Sequence, residues 1–284
     1  MVIDFTKMEG LGNDFIMLDD MDGELGKMGY AALAKKLCDR RFGVGADGII
    51  LALPSDSCDI GFRIFNSDGS EAEMCGNGMR CFAAFVNARG LLSQSRFKVE
   101  TKAGTIVPEI IEDSGGGVTQ VCVDMGEPVL TPRNIPFDVE GDRAVGVPLT
   151  AYDREFAITA VSMGNPHAVI VVDRLTGDEP VTFGPSIETY PLFPEKTNVE
   201  FVEVVSPSEV KMRVWERGAG ETLACGTGAC ATAVATHLLG LTGREVTVGL
   251  KGGDLAITWN ESDNHIMKTG PATLAFEGRV RVSL

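Results

Sequence analysis

Positive charge is scarce in this chain: 25 Lys and Arg stand against 40 Asp and Glu, a formal net charge of -15 at pH 7 over 284 residues. A surface of that sign repels phosphate backbones, and the basic residues are scattered rather than gathered into a stripe, which argues against nucleic acid as a partner. Long apolar runs are missing too, none approaching the roughly 18 consecutive residues of a membrane span. The opening MVIDFTKMEG has neither the basic stretch nor the apolar stretch of an export signal, so a cytoplasmic location is the default expectation and no membrane partner is expected. Paired C-x-x-C motifs are absent, and the seven cysteines form an odd set. That pattern argues against a secreted disulfide framework and a structural zinc knuckle and leaves reduced thiols as the natural reading. The glycines of GVGADG, residues 43 to 48, lack the spacing of a nucleotide-binding loop.

A hydrophobic content of 44% with 23% charged residues describes a globular chain. Its length is comfortable for two domains. Self-similarity supports two copies of one unit. Residues 63 to 78 read RIFNSDGSEAEMCGNG and residues 213 to 228 read RVWERGAGETLACGTG, aligned without a gap at an offset of 225 − 75 = 150. Two fainter echoes keep the same order: Gly12-Asn13 with Gly164-Asn165, and Lys102-Ala103-Gly104 with Lys251-Gly252-Gly253. Gly126 and Pro128 end an alternating strand through Val121, Val123 and Met125, placing a boundary there. The division expected is residues 1–124, joined by a returning 272–284, and 125–271.

Short β-branched runs dominate, with strands expected at Gly61 to Phe65, Phe97 to Thr101, Val118 to Asp124, Ala168 to Asp173, Val210 to Trp215 and Glu245 to Leu250. Long helices are few. Met79, Phe82, Ala83 and Val86 follow i, i+3, i+4, i+7 behind Cys75, which predicts a helix from about Gly76 to the stop at Gly90. ACATAVATHLL behind Cys225 is small or apolar on nearly every side, the mark of a helix buried all round. Each unit therefore reads as a curved sheet around one central helix whose N-terminus carries a Cys-Gly-x-Gly turn.

A cysteine at a helix start sits in the positive end of the macrodipole, which favours thiolate. The following glycines let a ligand approach the backbone, and the free amides of the first turn suit a carboxylate. Two such turns facing each other specify a reaction, in which one sulfur removes an α-proton and the other returns one to the opposite face, inverting the stereocentre. A cysteine beside glycine is by itself more often a buried small residue. The duplicated context favours chemistry for Cys75 and Cys225, while Cys38, Cys58, Cys81, Cys122 and Cys230 read as core. Glu216-Arg217 is a surface ion pair or a pair aimed at a ligand, and its counterpart in the first copy is Asn66-Ser67. His167 is either a structural histidine at a strand start or a group that tunes a thiol. Asn13, Asn165 and Asn198 are turn formers unless a ligand claims them.

KMEGLGNDF, FNSDGSEAEMCGNGMRCFA, VSMGNPHAV and ERGAGETLACGTGACA together resemble diaminopimelate epimerases, nearly end to end. The resemblance implies an α/β fold of the α+β type, with two pseudo-symmetric halves, each a mostly antiparallel barrel-like sheet wrapped around a central helix. It implies an isomerase that converts LL-2,6-diaminopimelate to the meso form in lysine and cell-wall precursor biosynthesis, with no cofactor and no metal. In that reading Cys75 and Cys225 are the acid/base pair, and Gly76, Asn77, Gly226 and Thr227 hold the reacting carboxylate. Asn13, Asn66, Asn165, Asn198, Glu216 and Arg217 hold the distal end of a diamino diacid, His167 and Glu216 adjust the thiols, and a homodimer is implied. Thr227 stands where Ser is common, and Gly48 where some members carry Gln. A racemase of proline or histidine on the same fold remains an alternative, as does a redox or metal-binding thiol module.

Overall fold

The computed structural model describes residues 1–113 and 117–283. The chain divides into two compact units, Met1–Asp124 with Thr269–Leu284, and Met125–Lys268.

The first unit contains β1 (Val2–Gly10), β2 (Asn13–Asp19), α1 (Tyr30–Cys38), β3 (Gly48–Leu53), β4 (Ile60–Asn66), β5 (Glu71–Ala72), α2 (Gly76–Ala88), β6 (Val99–Thr101), β7 (Gly104–Ile106), β8 (Pro108–Asp113) and β9 (Val118–Asp124). Strands β1 and β2 are antiparallel, β2 and β3 parallel, β3 and β4 antiparallel, and β4 runs parallel to β6. The second unit repeats the plan with β10 (Val147–Ala151), β11 (Arg154–Ser162), β12 (Pro166–Val172), α3 (Glu179–Glu188), β13 (Asn198–Ser206), β14 (Glu209–Glu216), β15 (Gly220–Glu221), α4 (Gly226–Leu238), β16 (Glu245–Leu250) and β17 (Gly253–Trp259). There β11 and β12 are antiparallel, β12 and β13 parallel, β13 and β14 antiparallel, and β14 runs parallel to β16. The last strand, β18 (Ile266–Arg281), returns to pair antiparallel with β1.

The repeat holds at the level of register. Phe15 pairs Gly48 as His167 pairs Asn198, and Phe65 pairs Glu71 as Trp215 pairs Glu221. It also holds in the side chains. Arg63 Nε donates to Glu71 Oε1 at 2.7 Å, and Arg213 Nε to Glu221 Oε1 at 2.9 Å. Lys102 Nζ lies 3.1 Å from Glu71 and Lys251 Nζ 3.6 Å from Glu221, so the echoed Lys-x-Gly turns pin the same carboxylate in both copies.

Helix α2 starts where Cys75, extended at φ −140 and ψ 120, accepts from the Gly78 amide. Met79, Phe82, Ala83 and Val86 are all buried, as their spacing requires, and Gly90 at φ +64 supplies the left-handed turn that ends the segment. Helix α4 is buried at every position from Gly228 to Thr236, the outcome expected of a helix with no polar face. Two outer helices were not legible. In α1, Leu33, Ala34, Leu37 and Cys38 pack with Ile16, Leu18, Ile49 and Leu51, so both faces of the first sheet are covered. Helix α3 carries Pro180 in its first turn and Pro185 inside it, residues that read as breakers, yet it buries Ile187 against Val199 and Phe201. Of the cysteines read as core, Cys38, Cys81, Cys122 and Cys230 are buried. Cys58 is not: it is half-exposed, with Sγ 3.5 Å from Thr105 Oγ1.

Candidate active site

In the first unit, Asn13 opens β2 and Cys75 caps α2. Cys75 Sγ lies 3.7 Å from Asn13 Oδ1, and Asn77 Nδ2 lies 3.4 Å from the same oxygen. Asn77 is held from behind, since Arg80 Nη1 donates to its Oδ1 at 3.1 Å while Arg80 Nε donates to the Pro271 carbonyl. Asn13 is held likewise. Its Nδ2 donates to Asp47 Oδ2 at 2.7 Å, which leaves Oδ1 turned to the thiol. Gly76 and Asn77 supply the first-turn amides. Asn66 closes β4 and donates to Ser70 Oγ at 3.0 Å. Gly48 pairs with Asn66 across β3 and β4, and an added Cβ there would stand 2.6 Å from the Phe65 carbonyl, so the backbone leaves no room for a side chain in this conformation.

A charge network fixes the Asn13 strand. Lys7 Nζ lies 2.6 Å and Arg40 Nη2 2.7 Å from the Asp14 carboxylate, and Arg40 also reaches Asp47 at 2.9 Å. Burial pushes the Asp14 carboxyl up, but hydrogen bonds and charge from Arg40 and Lys7 overcome it and hold the group at about 2, against an ordinary 3.8. The folded state therefore binds fewer protons than the unfolded one in this range. Stability contributed by Asp14 is present above pH ~4 and lost as the pH falls towards 2. Urea midpoints measured down this range are expected to fall more steeply for the wild type than for Asp14→Asn, and equal slopes would exclude the contribution.

In the second unit, Cys225 holds the N-cap position of α4 without a side-chain capping bond and is 4% exposed, its Sγ 3.5 Å from Thr227 Oγ1. Gly226 and Thr227 form the first turn. His167, on β12, is buried and uses both ring nitrogens: Nδ1 meets Glu200 Oε1 at 2.6 Å, and Nε2 meets Asn165 Oδ1 at 3.0 Å. Asn198 Nδ2 donates to the Pro166 carbonyl, and its Oδ1 accepts from the Arg217 amide at 2.9 Å, which sets the turn that presents Glu216 and Arg217. Glu216 accepts from Thr222 Oγ1, while Arg217 is exposed with Nη1 on the Glu195 carbonyl. The structure brings together His167, Asn165 and Cys225, which the resemblance had grouped. Glu200, a fully buried carboxylate and the third residue of β13, was not among the residues the sequence singled out.

Burial first, then the negative charges of Glu216 and Glu200, pushes the Cys225 thiol well above its ordinary 9.0. The helix end alone was expected to lower it; desolvation and two carboxylates outweigh that dipole here. Cys225, His167 and Glu200 donor atoms lie within 4.8 Å of one another, a spacing open to metal ligation. The 2.6 Å His167–Glu200 separation, however, is that of a hydrogen bond. Two ligands about 2 Å from one tetrahedral ion stay roughly 3.3 Å apart. The geometry is that of a buried hydrogen-bonded cluster.

A model of the diaminopimelate epimerase family matches residues 5–131 and 159–275. The diaminopimelate epimerase of Desulforapulum autotrophicum is 57% identical, covering 99% of this chain and 100% of its own. That of Heliobacterium modesticaldum is 53% identical, covering 98% and 99%. Among solved structures, a probable proline racemase from Agrobacterium radiobacter shares the fold at a TM-score of 0.67 and 15% identity, over 99% of this chain and 93% of that one.

Proposed function

The chain belongs to the diaminopimelate epimerase family, and from that membership we propose that it converts LL-2,6-diaminopimelate to the meso form by proton transfer between one Cα and two thiols, Cys75 and Cys225. The step would serve lysine and cell-wall precursor biosynthesis. The observation that carries the reading is the cysteine N-cap found once in each unit, each followed by Gly-x-Gly and a buried helix.

The chemistry follows from the parts. First-turn amides at Gly76 and Asn77, and at Gly226 and Thr227, donate to the reacting carboxylate, into which negative charge spreads as the Cα–H bond breaks. One cysteine, as thiolate, takes the α-proton and forms S–H. The other, as thiol, gives its proton to the opposite face of the carbanion and becomes thiolate. Atoms and charge balance within the pair, and microscopic reversibility makes the two exchange roles in the reverse direction. The donors are complete without an electron sink, so no pyridoxal phosphate or metal enters the proposed step. Asn13, Asn66, Asn165, Asn198, Glu216 and Arg217 are assigned to the distal amino-acid head, where Arg217 grips the second carboxylate and Glu216 accepts from the ammonium.

Racemisation of proline or histidine is the second reading on this fold. The presence of Glu216-Arg217, a pair suited to a second charged head, favours the diamino diacid. Turnover assays with LL-diaminopimelate, proline and histidine test the choice, with activity expected on the first alone. Activity on either of the others without the first would overturn it.

A further inference from the structure

The two copies differ where their thiols meet the sheet. An added Cβ at Gly78 would stand 2.8 Å from Ile50 Cδ1, and one at Gly228 would stand 2.7 Å from Glu200 Oε1. The same place against the first helical turn is thus filled by a methyl group in one unit and a carboxylate in the other. The neighbouring strand repeats the exchange. Phe15 pairs Gly48 in register and His167 pairs Asn198, so apolar Phe15 and Ile50 hold the strand positions that ionisable His167 and Glu200 hold in the other copy. Glu200 is fully buried, and its Oε2 accepts no hydrogen bond among the described residues. A carboxylate kept with one oxygen unsatisfied, where its structural twin is isoleucine, is not needed for packing.

We propose that Glu200 is a positioning residue that, by orienting His167 and by its own charge, keeps Cys225 protonated at rest and makes the two half-sites chemically unequal. Glu200 reaches the Cys225 corner from β13 and His167 from β12, and Glu216 at the end of β14 adds its negative charge there. Burial and the two carboxylates all act in the direction of thiol at Cys225, and burial also pushes the Glu200 carboxyl up, against the charge and hydrogen bond of His167 that favour its ionised form. His167 is tied through Nδ1 to Glu200 and through Nε2 to Asn165, so both ring nitrogens already have a partner other than the sulfur. In turnover, which rests on the two-thiol reading above, the resting enzyme would then offer Cys225 as the proton donor.

The test reads the sulfurs directly, because the substrate equilibrium fixes the ratio of kcat/KM in the two directions and turnover cannot separate them. Protein labelled with [3-13C]cysteine is titrated by NMR, with Cys75 and Cys225 assigned by signal loss in Cys75→Ser and Cys225→Ser. In Glu200→Gln the Cys225 midpoint is expected to fall by about one pH unit or more, the size of a removed neighbouring charge, while that of Cys75 stays in place. Glu200→Ile copies the other unit and serves the same purpose should the Gln variant fold poorly. A Cys225 midpoint that stays or rises, or an equal shift at both cysteines, would overturn the proposal. No substrate is present in the titration. A shifted Cys225 in a protein inactive on diaminopimelate would therefore sink the proposed substrate and leave the role of Glu200 standing.

Discussion

Changing either Cys75 or Cys225 to serine is expected to lower kcat for epimerisation roughly a thousandfold, in the range lost with a positioned acid or base. A hydroxyl is a far weaker acid than a thiol at neutral pH and cannot take either role. Because both groups act on one proton exchange, the double variant should fall little below the worse single one. Steady-state rates with LL-diaminopimelate measure this. A single variant that keeps half its activity would show that its thiol is a packing residue only, as buried cysteines usually are.

Arg217→Ala is expected to cost about 100-fold in kcat/KM, carried mainly by KM, since a charge-assisted pair to the distal carboxylate is lost from ground and transition state alike. Arg217 is placed to make that pair: it is exposed, its amide is fixed by Asn198, and its guanidinium donates to the Glu195 carbonyl, its one bond among the described residues. Lysine should rescue little, because a point charge does not reproduce the fork. Unchanged kinetics in Arg217→Ala would remove the distal head from the proposal and favour racemisation of a simpler amino acid instead.

Much of this was legible from the repeat. Two gapless copies around Cys75 and Cys225 located both central helices, and the structure begins them at Gly76 and Gly226. The strands near the motifs were read within a residue or two, for example Ile60–Asn66 and Glu209–Glu216. Helix α1 escaped because no side chain caps it, and α3 because Pro180 and Pro185 break the usual signature. Glu200 escaped for a different reason. In Val199, Glu200, Phe201, Val202 and Glu203, a charged residue looks like the outward position of a half-buried strand. Here both faces are covered: Val199 and Phe201 pack on the α3 side, while Glu200 meets Gly228 of α4. Nothing in one strand's pattern shows that a histidine on its neighbour will meet the carboxylate. That pairing is set by the β12–β13 register, a property of the fold.

Turnover of LL-diaminopimelate in heavy water puts the two-thiol transfer to its most direct test. Early meso product should carry one deuterium, at the inverted Cα and not at the distal one, while unreacted LL substrate stays free of label, because the sulfur that takes the proton is not the one that gives it. Label entering recovered substrate as fast as product, or product formed with its original proton, would contradict transfer between Cys75 and Cys225.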